Sequence, residues 1–203
     1  MIQSKTELRA FLIQDQRANH LWTRKIMRRF PRCYSTLKAT YWMRKSEYYY
    51  GTGRRIRGKV CEKIMERICA KLGMILSVGV FGPGLRIAHP FGIVVTKRAR
   101  IGANCFLHQC VTIGVNENEE GAPVIGDNFV AGSGAKIIGP VKVANNVCVG
   151  ANAVVVKDIT EADTTWGGVP AKLISNCSSI RYLSPLLFEK TDGTKEEKEE
   201  MHI

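Results

Sequence analysis

From Ile101 onward an aliphatic residue recurs at every sixth position: Ile101, Leu107 and Ile113, then Ile125, Ala131, Ile137, Val143, Val149 and Val155. A helix repeats about every 3.6 residues and a strand about every two, so neither accounts for the beat. The residue after the aliphatic is usually Gly or Ala, as in "IGANCF", "IGDNFV", "AGSGAK" and "VGANAV". One short strand and one turn per hexad does account for it. Three hexads then close a triangular coil, residues about 18 apart stack, and the aliphatics fill the interior as ladders. The pattern predicts a mainly β chain, a parallel β-helix over residues 74–176.

Two places break the beat. Ile93 and Ile101 are eight residues apart, and "GVNENEEGAP" (Gly114 to Pro123) has no aliphatic where one is due. Interruptions of a solenoid push loops out of the coil, and such loops tend to carry function. The first lies between His89 and His108 and the second follows His108; the two histidines fall about one coil apart and are expected to line one groove. Before the coil, Leu8, Phe11 and Leu12, and later Ile64, Met65, Ile68 and Leu72, recur at three- and four-residue spacing between charges. Residues 1–73 are therefore expected to form a helical N-terminal region, punctuated by Pro31 and "YYYGTG". Residues 177–203 read as a C-terminal tail whose acidic end, "EKTDGTKEEKEEMHI", is expected to be disordered.

The chain's 203 residues suffice for one substantial core. No apolar run reaches the length of a membrane span, and the N-terminus lacks a signal peptide's apolar core, so the expected location is cytoplasmic. Seven cysteines stand singly with no CxxC pair, the pattern of reduced thiols used as small hydrophobes. Cys110, two residues from His108, keeps a nucleophilic thiol open as an alternative. The formal charge of +12 is concentrated in the first sixty residues, at Arg24, Lys25, Arg28, Arg29, Arg32, Arg44, Lys45, Arg54, Arg55, Arg57 and Lys59 among others. This charge is either the solvated face of a helical cap or a surface for peripheral contact with an anionic partner. No nucleic-acid-binding signature is present, so no nucleic-acid partner is expected.

The ordered run "FGPGLRIAHPFGIVV", "IGANCFLHQCVTIG", "VIGDNFVAGSGAKIIG", "VCVGANAVVVKDI" and "WGGVPAKLIS" resembles the hexapeptide-repeat acyltransferases, in particular the serine acetyltransferase-like branch, over residues 75 to 175. The resemblance implies a left-handed parallel β-helix, a homotrimer with active sites between subunits, and acetyl-CoA as co-substrate. It implies that His89 is the general base, which deprotonates an acceptor hydroxyl so that the oxygen attacks the thioester directly. Gln109, His108 and the N–H groups around Gly114 are candidates to stabilise the oxyanion. Val115, Ser133 and Ala151, each 18 residues apart, match family positions along the pantetheine arm, with Gly114, Gly132, Gly134 and Gly150 beside them. Lys136, Lys157 and Lys172 are available for the phosphates of CoA. Gly and Ala that merely make turns are the alternative to a coenzyme column.

The chain departs from that pattern in two ways. Serine acetyltransferases pair the base with an upstream Asp, but no acid occurs here between Glu66 and Glu117. They also carry a second His in the loop that here reads "VNENEEGAP". The acceptor is accordingly L-serine or a sugar hydroxyl, the latter as in enzymes of cell-surface polysaccharide pathways. Glu117, Glu119 or Glu120, from this or a neighbouring subunit, is expected to orient His89 or bind the acceptor. Alternatively these are solvated charges and a backbone carbonyl orients the ring. The sequence ends in Ile203, and the family docks a C-terminal Ile on a partner synthase, but the "DGI" ending is absent here. Zinc-binding β-helices use three histidines, and only His89 and His108 lie in this coil, so no metal is expected. A non-catalytic β-helix that binds through its basic cap is the remaining alternative.

Overall fold

The computed structural model describes residues 1–19, 31–117 and 119–189. Three helices come first: α1 (Lys5–Ala18), α2 (Pro31–Gly51) and α3 (Arg55–Lys71). The Ser4 side chain caps α1 by accepting from the Glu7 amide, while the Glu7 carboxylate accepts from the Gln3 amide. Among the described residues, no helix is long and apolar enough to cross a membrane.

A coil of two- and three-residue strands follows, in three parallel faces. The first holds β1 (Arg86–Ile87), β4 (Phe106–Leu107), β7 (Val130–Ala131), β10 (Cys148–Val149) and β12 (Thr165–Gly167). The second holds β2 (Val94–Val95), β5 (Thr112–Gly114), β8 (Lys136–Ile138) and β11 (Val154–Val155). The third holds β3 (Arg100–Ile101), β6 (Val124–Ile125) and β9 (Lys142–Val143). β13 (Lys172–Ser175) turns back antiparallel on β12 and ends the stack.

Each hexad turns two residues into the coil, the ladder aliphatic and the one two places before it. Cys105 with Leu107, Val111 with Ile113, Phe129 with Ala131 and Ala135 with Ile137 are all buried. That companion position corrects the register expected near His89. Ile93 is the buried companion of Val95, and Val95 pairs with Ile113. Val95 to Ile101 is thus a regular step, and the eight-residue gap runs from Ile87 to Val95. The glycine after the aliphatic is a packing demand. A Cβ on Gly132 would lie 2.7 Å from the Ala151 amide nitrogen of the next coil, so only Gly lets the backbones approach. For Gly132 the structural alternative to a ligand contact therefore suffices.

The helices close the first end of the coil. Ala39, Met43, Met65 and Cys69 share one core with Leu76, Val80 and Phe81. Arg44, counted with the basic surface from its sequence, is instead fully buried. Its Nε donates to Asp15 at 2.9 Å, its Nη1 to Glu47 at 3.0 Å, and both terminal nitrogens to carbonyls of the first coil, Phe81 and Gly82. Asp15 also accepts from the Gly84 and Leu85 amides, and Glu47 from the Gly79 amide. Burial opposes the guanidinium charge, but Asp15 and Glu47 more than offset it, and the Arg44 pKa is raised. Removing one partner of such a group costs about 3–5 kcal/mol, because the remaining charges stay buried.

At the C-terminus, 3-10 turns at Ser179–Tyr182 and Pro185–Leu187 lie over the first face. Leu183 and Leu187, with Ala18 of α1, cover Phe106, Val130 and Cys148. Cys61, Cys69, Cys105 and Cys148 are buried as small hydrophobes, whereas Cys110 and Cys177 are exposed free thiols. The acidic end from residue 190 and Ile203 lie outside the described residues, as do Arg24, Lys25, Arg28 and Arg29.

Candidate active site

The corner between the first and second faces is where the histidines meet. Ala88 lies in register with His108, since its amide donates to the Leu107 carbonyl at 3.1 Å. Past the corner, the Cys110 amide donates to Phe91, that of Gly134 to Gln109, and that of Asn152 to Ser133. Phe91, Gln109 and Ser133 therefore occupy one column, continued by Ala151 through the pairing of β7 with β10. In the upper coil His108 leads directly into Gln109. In the lower coil His89 and Pro90 intervene between Ala88 and Phe91 with no counterpart above. These two extra residues make the eight-residue gap. The chain bulges out at His89, which is exposed, beside the half-buried His108.

The expected column of Val115, Ser133 and Ala151 is not the one the register makes. Gly114 pairs with Ile138, which puts Val115 at the far edge of the second face. The loop after Gly114 adds six residues, so Leu107 stacks on Ala131 after 24 residues rather than 18. Gln109 takes the place assigned to Val115. Ser133, Gly134 and Ala151 remain beside the histidine corner. Lys136 is tied to that corner's backbone, donating to the Cys110 carbonyl at 2.6 Å and the Gly134 carbonyl at 3.0 Å. Lys157 and Lys172 are exposed, Lys172 opposite Gly167 at the end of the first face.

Glu117, Glu119 and Glu120 are exposed in the extruded loop, which folds back through a Glu119 amide bond to the Asn116 carbonyl. The second face separates this loop from His89 within one chain. Among the described residues no carboxylate hydrogen-bonds or pairs with His89.

The ring of His108 lies 4.6 Å from that of Phe106, and the guanidinium of Arg86 sits 4.2 Å from the Phe106 centroid. Burial, then the charges of His89 and Arg86, lower the His108 pKa below the ordinary histidine value. His108 is thus neutral near pH 7, with one ring nitrogen a donor and the other an acceptor. The Gln109 Oε1 is buried and has no hydrogen-bond partner among the described residues. Burying an amide oxygen without a partner is costly, which sets Gln109 apart from the other buried polar side chains described. Sequence reasoning missed Arg86 and Phe91. The signal available was an aromatic at a corner position that holds Gln, Ser and Ala in the other coils.

Residues 122–157 match the family model described as bacterial transferase hexapeptide (six repeats). A serine acetyltransferase of Synechococcus elongatus is 36% identical over 95 residues, covering 46% of this chain and 38% of that protein. A serine acetyltransferase of Buchnera aphidicola subsp. Acyrthosiphon pisum is 31% identical over 145 residues, covering 70% of this chain and 52% of that protein. Among solved structures, the serine acetyltransferase of Neisseria gonorrhoeae matches with a TM-score of 0.66 and 27% identity, over 85% of this chain and 68% of that one. The chain thus spans only 38% and 52% of these two curated relatives. The matches define a mainly β, left-handed parallel β-helix protein with a helical N-terminal region, built on the bacterial hexapeptide repeat. Within that class the chain is serine acetyltransferase-like in sequence and fold.

Proposed function

We propose that this chain is an acetyl-CoA-dependent O-acetyltransferase that acetylates the hydroxyl of L-serine, with His89 as general base. The observation that carries the reading is the His89–Pro90 insertion. It sets an exposed imidazole out from the corner along which the column of Gln109, Ser133 and Ala151 runs. A ring nitrogen of His89 takes the hydroxyl proton, and the freed oxygen attacks the thioester carbonyl of acetyl-CoA. The tetrahedral oxyanion is held by donors at this corner, the His108 N–H or the Gln109 amide. It collapses to the ester, and the departing CoA thiolate takes the proton back from the imidazolium. Small side chains at Ser133 and Ala151, with Gly134, leave room for the pantetheine arm, and Lys172, with Lys157 across the second face, is available for the phosphates. The working unit in this reading is a homotrimer, in which Gly114, Val115, Glu117 and Glu120 reach the His89 corner of a neighbour.

A sugar hydroxyl is the second reading. It is favoured by the absence of any carboxylate on His89 among the described residues. Thiol release from acetyl-CoA, measured with L-serine and with a panel of sugars, tests both. Turnover with serine supports the first reading, turnover with sugars alone the second, and no turnover with any acceptor leaves a binding module.

A further inference from the structure

The acetyl-transfer reading leaves one charged surface unused, at the start of α3. This helix buries Gly58, Cys61, Met65 and Cys69, and its opposite side faces outward. There Ile56 is 84% exposed and Val60 55% exposed. Arg54, Arg55, Arg57 and Lys59 surround them, all exposed. Among the described residues no carboxylate pairs with any of these four. Farther along α3, Lys63 pairs with Glu66 at 2.7 Å, and Glu62 accepts a hydrogen bond from Tyr50 of α2 at 2.6 Å. Four cations without a carboxylate partner among the described residues thus fall within the six residues that open the helix.

That end is also where cations are least welcome for the helix itself. α3 starts at Arg54 with no side-chain cap and no acid in its first turn. A helix N-terminus carries partial positive charge, so three arginines there are self-repelling until an anion arrives. The exposed Ile56 in their midst narrows the kind of anion. A small soluble anion or a nucleic acid would satisfy the guanidinium groups and leave Ile56 in water. A second copy of the chain would bring like charges together. An anionic bilayer surface serves both, offering phosphates to the cations and an apolar boundary to the aliphatic side chains.

We propose that the N-terminal end of α3 docks on anionic lipid bilayers, with Arg54, Arg55, Arg57 and Lys59 on the lipid phosphates and Ile56 and Val60 in the headgroup boundary. The test is co-sedimentation of the full chain with phosphatidylcholine vesicles made with and without phosphatidylglycerol. Binding is expected only with phosphatidylglycerol and is lost in high salt. The triple substitution Arg54→Glu, Arg55→Glu and Arg57→Glu, checked for an unchanged thermal melt, is expected to lower partitioning at least about tenfold. Ile56→Ser, a change at a solvent-exposed side chain, is expected to weaken binding severalfold while keeping its salt dependence. Equal binding to both vesicle types, or full binding by a folded triple variant, overturns the proposal. So does the absence of vesicle binding together with self-association in light scattering that Ile56→Ser abolishes, which would assign the surface to a second copy.

Discussion

At the corner that leads into the first face of the coil, Asn104, Asn128, Asn146 and Asp163 all take the left-handed conformation, with φ of 59°, 59°, 61° and 59°. Their side chains form a ladder, Asn104 donating to Asn128 at 2.8 Å, Asn128 to Asn146 at 2.7 Å, and Asn146 to Asp163 at 3.0 Å. At the corner that leads out of the same face, the left-handed positions are Gly92, Cys110, Gly134 and Asn152. No ladder joins them, two residues are inserted, and the buried Gln109 Oε1 has no hydrogen-bond partner among the described residues. The same hexad makes both corners. Where a corner only stacks, one residue type repeats and satisfies itself. At the corner proposed to hold the ligands, the column varies from coil to coil.

The largest expected effect falls on the irregular corner. His89→Ala should lower kcat by about two orders of magnitude, the scale of lost acid–base catalysis. Its thermal melt should not move, because His89 is exposed and its ring makes no hydrogen bond among the described residues. Near-normal turnover in that variant would remove the corner from the chemistry. The mirror-image result is expected of Asn128→Ala. It breaks two rungs and places alanine at a left-handed φ, so stability should fall by roughly 2 kcal/mol in denaturant titration. Activity per folded molecule should be unchanged.

Gln109→Leu separates the two corners more finely. Deleting a buried oxygen that has no partner among the described residues should leave stability unchanged or raised by up to about 1 kcal/mol, the reverse of the ladder variant. kcat/KM in the thiol-release assay should fall severalfold. A clear loss of stability would mean that Gln109 belongs to the scaffold.

The smallest effect is on pH. Since the folded His108 pKa is lowered, the unfolded chain binds its proton first as pH falls. The contribution is therefore complete above the ordinary histidine value of 6.5 and is lost as pH drops through the lower folded value. Compared with His108→Asn, the wild-type chain should lose stability more steeply on acidification in melts recorded across that range.

Much of this scaffold was legible in the residues. The aliphatic beat from Ile101 to Val155 marked the ladders, the missing aliphatic in "GVNENEEGAP" marked the extruded loop, and Leu8, Phe11 and Leu12 marked α1. The misreadings have particular causes. Ile93 looked like a ladder residue because the companion position is also aliphatic in several coils. Arg44 looked like one more surface cation because nothing local distinguishes it from Lys45. Cys110 looked like a core thiol, yet it sits exposed at a turn that Gly or Asn fills in neighbouring coils.

What the sequence determined by itself is the coil: each hexad states locally which residue points inward, so short-range sterics and apolar burial suffice to read it. What only the tertiary structure decided is which residues become neighbours across coils. The paired residues Ile87 and Leu107 are 20 apart, Leu107 and Ala131 are 24 apart, and Ala131 and Val149 are 18 apart. Each step depends on where an insertion is extruded, and that follows from the hydrogen-bond register of the whole stack. Gln109 replaces Val115 beside Ser133 for this reason, and Arg44 goes inside because the first coil presents Phe81 and Gly82 carbonyls that local sequence cannot foresee.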